Sequence, residues 1–333
     1  VLGKVDQTIT PIGMTFDAAA CPMEVGPSVA PDRPSATDHR RQLVRTAFSR
    51  RLRRVVAFAA AITLAAAVPA AAATDSQSST HRFDAAFKIP NLAKGYTPQG
   101  MTAWSDGHGH SLIIIGEYRR GHRSLLVAVD PISARTFGTV AVAESHLGGI
   151  AIVGDWLFAQ DHPHPGSEKI RRYRMSDLAA AFNASQAHHG KAIYVRQTGK
   201  PQQLAAWQFA SFMSPYRGHL FAGHHGRGAG ARMYEYDVDR DGRLHALPGW
   251  IQVPPLTDGV AVTGDRFVFS SHHGGAGTMT VARRSQRLSP ITTFSTPGPG
   301  EGTTIADGRL YVQFEGGHRY VYATRYQNLE RAR

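Results

Sequence analysis

Cysteine is almost missing from this chain: Cys21 is the only one in 333 residues. An internal disulfide is therefore impossible, and multi-thiolate metal sites and dithiol redox chemistry are excluded. The sequence has no Gly-x-Ser-x-Gly nucleophile elbow, no His-Glu-x-x-His zinc-protease helix and no P-loop with its lysine. Those absences remove three common hydrolase and nucleotide-binding signatures. Charged residues make up 19% of the chain. No basic stretch interleaved with aromatics argues for nucleic acid. The main apolar run, Val55 to Val68, is too short and too rich in alanine to span a bilayer.

What surrounds that run is informative. Arg45, Arg50, Arg51, Arg53 and Arg54 precede it, and Pro69 and Ala70 to Ala73 follow. A positive n-region, a short h-region and small residues at a cleavage point form a secretory signal. The expected organisation is an upstream or disordered extension over 1–43, a signal peptide over 44–73, a polar linker over 74–82 and a folded domain over 83–333. Ser49-Arg50-Arg51 fits a twin-arginine signal only in part, so the export route stays open. Nine of the 37 basic and five of the 25 acidic residues precede residue 74, so the net charge falls from +12 to +8 on processing. The expected mature protein is secreted, cysteine-free, monomeric and without a membrane anchor. A small-molecule, glycan or cell-wall ligand is the expected partner, and nucleic acid is not.

After residue 95 the chain repeats itself five times. An apolar strand ending in an acid or histidine recurs as Ile113–Glu117, Leu157–His162, Leu220–His225, Phe267–His273 and Leu310–Glu315. Short glycine-led strands precede most copies, at Gly100, Gly149, Gly259 and Gly302. Several short strands per unit and a period in the 40s of residues indicate an all-β, five-bladed β-propeller. A six-bladed variant would need a cryptic blade within 176–213. Ser176 reads as the N-cap of one helical insertion reaching about Ala187. The last repeat lacks a fourth strand, whereas Phe83–Ile89 has no blade of its own. The N-terminal strand is therefore expected to close the ring and leave no open sheet edge.

In such a ring, the loops before the first strands and after the second strands share one face. Gln99, His146, Met213-Ser214, Asp258 and Glu301 belong to the first set. Glu117, Asp161-His162, His224-His225, His272-His273 and Glu315 belong to the second. Imidazoles among carboxylates suit a divalent metal or acid–base catalysis near neutral pH. Glu117, Asp161, His224, His272, Glu301 and Glu315 are the candidate catalytic residues. Gln99, His146, His162, Asp258 and His273 are the candidate substrate contacts. Glu117, His224, His272 and Glu301 are the candidate ligands of one Ca, Mg, Mn or Zn ion; no nucleotide or redox cofactor is expected. Asp237 to Gly242 matches the start of a calcium loop, but Pro248 stands where its twelfth-position acid belongs. Two function classes stay open. One is a metal-assisted hydrolase or lyase acting on a lactone, ester or phosphoester; the other is a non-catalytic binding propeller.

The phrases Tyr96-Thr97-Pro98-Gln99-Gly100, Leu147-Gly148-Gly149-Ile150-Ala151, Asp258-Gly259-Val260-Ala261-Val262 and Leu310 to Gly317 resemble those of an uncharacterised family of secreted bacterial β-propeller proteins. More loosely, the chain looks like the gluconolactonase and streptogramin-lyase propellers. The resemblance implies a propeller fold, export and, from the gluconolactonases, a divalent metal in the central channel. It implies no particular activity.

Overall fold

A computed structural model describes residues 82–329 except 106–110, 162–168, 206, 207, 209, 274, 275 and 316. These residues all fall in one compact unit, Ala70–Arg333. The extension, the signal peptide and nearly all of the linker lie outside the described residues.

The N-terminal strand β1 (Asp84–Lys88) precedes five sheets' worth of chain. Blade one is β2 (Thr97–Ser105), β3 (Ser111–Tyr118), β4 (Ser124–Asp130) and β5 (Arg135–Val142). Blade two is β6 (Ile150–Val153), β7 (Trp156–Asp161) and β8 (Lys169–Arg174). Helix α1 (Met175–Ala187), β9 (Ile193–Tyr194) and β10 (Gln202–Gln203) follow, and β10 completes blade two. Blade three is β11 (Phe212–Tyr216), β12 (His219–Gly223) and β13 (Arg232–Val238), whose outer edge is shared by β14 (Leu244–Ala246) and β15 (Ile251–Gln252). Blade four is β16 (Thr257–Val262), β17 (Arg266–His273), β18 (Ala276–Arg283) and β19 (Pro290–Thr296). Blade five is β20 (Gly300–Ala306), β21 (Arg309–Phe314) and β22 (Tyr320–Arg325), with β1 antiparallel to β22 as its fourth strand. The first strands touch in a closed circuit, β2 to β6 to β11 to β16 to β20 and back to β2. This is a five-bladed propeller closed by its own N-terminus.

Blades stack face to face, so their middle strands bury both faces and read as continuous apolar runs rather than alternating ones. Ile113, Ile114 and Ile115 are all fully buried. The apolar clusters lie between blades. Phe87, Met101, Ile115 and Tyr311 pack blade five on blade one, and Phe221 meets Phe267 edge-on at 6.0 Å across blades three and four. At the hub the first strands converge until backbones touch. A Cβ on Gly100 would lie 2.6 Å from the carbonyl oxygens of Leu147 and Gly148, and one on Gly302 would lie 2.8 Å from that of Gln99. Only glycine permits that approach, which explains Gly100, Gly149, Gly259 and Gly302 in four of the five blades.

The segment 176–213 holds no sixth blade among its described residues. It is a helix laid on blade one: Trp104 stacks on Phe182 at 6.4 Å, the Thr139 N–H donates to Ser185 Oγ at 2.9 Å, and β9 adds in parallel to β5. The helix starts two residues earlier than Ser176 as N-cap suggests, with Arg174 at the N-cap and no side-chain cap. Strand β8 runs straight into it, and the Met175 N–H is satisfied by the carbonyl of Asp155 instead.

Ring closure makes a direct prediction. Phe87 is 2% exposed on the closing strand, so Phe87→Ala should cost about 3–5 kcal/mol in urea unfolding. Deleting residues 82–89 should expose the β22 edge and cause aggregation. A deletion variant that unfolds at the parent's midpoint would contradict closure.

Candidate functional site

Strand registers place equivalent residues of the five blades without reference to sequence similarity. Met101, Ile150, Met213, Val260 and Thr303 lie opposite Ile115, Ala159, Ala222, Phe269 and Val312. Two residues earlier on each first strand come Gln99, Gly148, Ser211, Asp258 and Glu301. All five line one cavity of about 320 Å³ at the hub, together with His146, Gln160, His225 and His272. Three residues further along the chain come Tyr118, His162, His225, His272 and Glu315, of which Tyr118 and His272 still lie within their strands. Of these, His225 and His272 line the same cavity, Glu315 hydrogen-bonds the side chain of Glu301, and the Tyr118 ring lies 5.3 Å from that of His146. His162 lies outside the described residues.

Asp258 is the focus. Its two carboxylate oxygens meet two imidazoles from adjacent blades: Oδ1 contacts His225 Nδ1, and Oδ2 lies 2.6 Å from His272 Nδ1. The two rings are 5.2 Å apart and tilted by 30°. Ligand-capable atoms of His225, Asp258 and His272 all lie within 4.8 Å of one another, a spacing one metal ion could bridge. The hydrogen bond that His225 donates to Asp258 raises the His225 pKa above its ordinary value, against the opposing effect of burial. Glu301 is pushed up to about 9, first by burial and then by the charges of Asp258 and Glu315. It therefore keeps its proton at neutral pH, as a carboxyl group must in a confined cluster of acids without a cation. Gln99 Oε1 and Gln160 Oε1 are buried without a hydrogen-bond partner. Both residues line the hub cavity, where a ligand with donors could satisfy them.

The structure does not bring every sequence candidate to this cavity. Gln99, His146, Asp258, His272 and Glu301 line it, and Glu315 reaches it through Glu301. Glu117 and Asp161 on their strands, and His224 just past the end of β12, come one residue too early. Successive side chains of a strand point to opposite faces, so a slip of one residue sends the side chain elsewhere. Glu117 accepts a hydrogen bond from Asn91 Nδ2 at 2.9 Å. Asp161 is ion-paired with Arg171, whose Nη1 also donates to the Ala143 carbonyl at 2.9 Å. The His224 pKa is lowered by burial and then by His225. His273 is exposed and lines a neighbouring cavity. Met213 and Ser214 lie beyond the hub position that Ser211 fills. His225, Ser211, Gly148 and Gln160 were not singled out individually from sequence. Counting from the glycine of each first strand, rather than from the last acid or histidine of each second strand, would have found them. In the calcium-like hexapeptide, Asp239 Oδ1 accepts the backbone N–H groups of Asp241 and Arg243 at 2.9 and 2.8 Å. Its acid caps a hairpin turn, as the Asp-Gly pair there suggests.

Burial pushes Glu117 from 4.5 up to about 8, with Asn91 and Lys94 opposing. Its folded pKa lies above its unfolded one, so its stabilising contribution is complete below about pH 4.5 and is lost as pH rises through about 8. Relative to the parent, Glu117→Gln should gain on the order of a few kcal/mol between pH 4 and pH 9 in chemical unfolding. A pH-independent difference would contradict the buried-acid assignment.

No protein-family model matches the chain, and no curated protein matches it in sequence. Among solved structures, glutaminyl cyclase of Myxococcus xanthus is similar at 12% identity and a TM-score of 0.43, over 68% of this chain and 88% of that one. A chain of a mitotic checkpoint complex is similar at 9% identity and a TM-score of 0.40, over 70% of this chain and 78% of that one. At such scores neither neighbour informs the chemistry of the hub.

Proposed function

We propose that the hub cavity is a divalent-metal site and that the protein is a secreted, metal-assisted hydrolase or lyase of a small lactone, ester or phosphoester. One observation carries the reading: a single half-buried carboxylate clasped by two imidazoles from different blades. His225, Asp258 and His272 would hold the ion. Two nitrogens and one oxygen suit Zn or Mn better than Ca or Mg, which prefer all-oxygen ligand sets. When bound, the ion would activate water or polarise a carbonyl or phosphoryl oxygen. Glu301, whose pKa burial and its acidic neighbours raise in the metal-free cavity, is placed to act as the acid for a leaving oxygen. Gln99 and Gln160 offer buried amide oxygens that orient substrate donors. The cavity, about 320 Å³, suits a small molecule. Export rests on the composition of residues 44–73.

The rival reading is a binding propeller that grips a glycan or cell-wall ligand with the same face. Isothermal titration with Zn²⁺ and Mn²⁺, followed by a screen of lactones, esters and phosphodiesters, separates the two. The parent should bind one ion per chain. His225→Ala should lose on the order of 100-fold in affinity or more, whereas His224→Ala should bind like the parent. Affinity should fall as pH drops through the histidine range, because the proton that Asp258 stabilises on His225 competes with the ion. Ion binding without turnover on any substrate favours the binding propeller. No ion binding at all defeats the metal reading.

A further inference from the structure

A second cavity, of about 560 Å³, opens off the same histidine pair. His225, Arg227, Gly228, Pro255, Leu256, His272 and His273 line it. His225 and His272 thus form a shared wall, with Asp258 and Glu301 on the hub side only. The charge of Asp258 is spent on the two imidazoles. No carboxylate appears in the described lining of the outer cavity, whereas Arg227 and His273 are both there and exposed. Among the described residues neither makes an ion pair, and the Arg227 guanidinium acts electrostatically on His225. The protein therefore sets a cation-attracting chamber and an anion-attracting vestibule back to back.

We propose that the substrate is an anionic ester, a phosphomonoester or phosphodiester, whose phosphate is seated in this vestibule by Arg227 and His273. The proposal deepens the metal-site reading and rests on it for the chemistry, though not for the seat itself. A neutral lactone or carboxylic ester gives Arg227 nothing to bind, whereas a phosphate offers the paired oxygens that a guanidinium fork matches.

The vestibule is built rather than incidental. Leu256 stands in the left-handed region at φ 54°, a conformation costly for a bulky side chain and held only where the surroundings enforce it. Here its N–H donates to the Gly226 carbonyl at 2.9 Å, and its carbonyl accepts the His272 N–H at 3.2 Å. Those two bonds tie the loop carrying Arg227 to the strand carrying His272 and His273. The Gly226 N–H is already used by the His224 carbonyl at 2.8 Å. The side chains of Arg227 and His273 are the holding groups of this proposal.

Titration of inorganic phosphate into metal-free and Mn²⁺-loaded protein tests this. Arg227→Gln should weaken phosphate binding about 10-fold or more in both forms, with His273→Gln weakening it less. Arg196→Gln removes the same charge from an exposed position outside both cavities and should bind phosphate as the parent does. Mn²⁺ affinity should be unchanged in the Arg196 variant and not weakened in the Arg227 and His273 variants. Parent protein that binds no phosphate in either form would overturn the proposal, as would equal binding by the Arg227 and Arg196 variants. If the parent retains no metal yet shows Arg227-dependent phosphate binding, the anion seat stands and the metal reading fails.

Discussion

The structure depends on convergence of the first strands at the hub. Five sheets meet there with no room for side chains at the glycine positions, and the closed circuit of contacts runs from β2 through β20 and back. The Met101, Ile150, Val260 and Thr303 positions after those glycines turn into the blades. The positions before them, from Gln99 to Glu301, turn into the cavity. Packing and chemistry are thus set by the same backbone constraint, one residue to either side of the glycine. Closure by β1 on β22 keeps that geometry from opening, because a radial sheet lacking its outer strand would present an unpaired edge.

The hub gathers charge in a way that globular interiors avoid. Asp258, Glu301 and Glu315 lie together, and the protein manages them with imidazoles and with a retained proton rather than with arginine or lysine. Elsewhere the same chain handles a buried acid differently: Asp161 is paired with Arg171, a structural solution. The contrast is functional in our reading. Imidazoles and a protonated carboxyl can exchange protons or accept an ion, whereas a guanidinium partner fixes its acid in one state.

Much of the architecture was legible because repeats impose it. The apolar Ile113–Ile115 and Phe267–Phe269 runs, the glycine-led strands and the orphan segment at Phe83–Ile89 pointed to five blades and a closing strand before any coordinates. The helix start was missed because a tertiary partner, the Asp155 carbonyl, caps Met175 in place of a side chain. The hub residues were legible only in part. Asp258, Glu301, Gln99 and His272 follow from position, but the paired histidines at 224 and 225 look alike in sequence, and only register tells which faces the hub. Glu117 and Asp161 resemble the other strand-end acids and yet fall on the opposite face of their strands. Ser211 and Gly148 carry no chemical signal, and nothing but topology identifies them.

The central claim is that His225, Asp258 and His272 form one ion site at the hub. Anomalous diffraction from crystals soaked in Mn²⁺ or Zn²⁺ tests it most directly. The account predicts a single strong anomalous peak within coordination distance of all three side chains. A peak centred on Asp239, Glu117 or His224, or a hub without any peak, would contradict it.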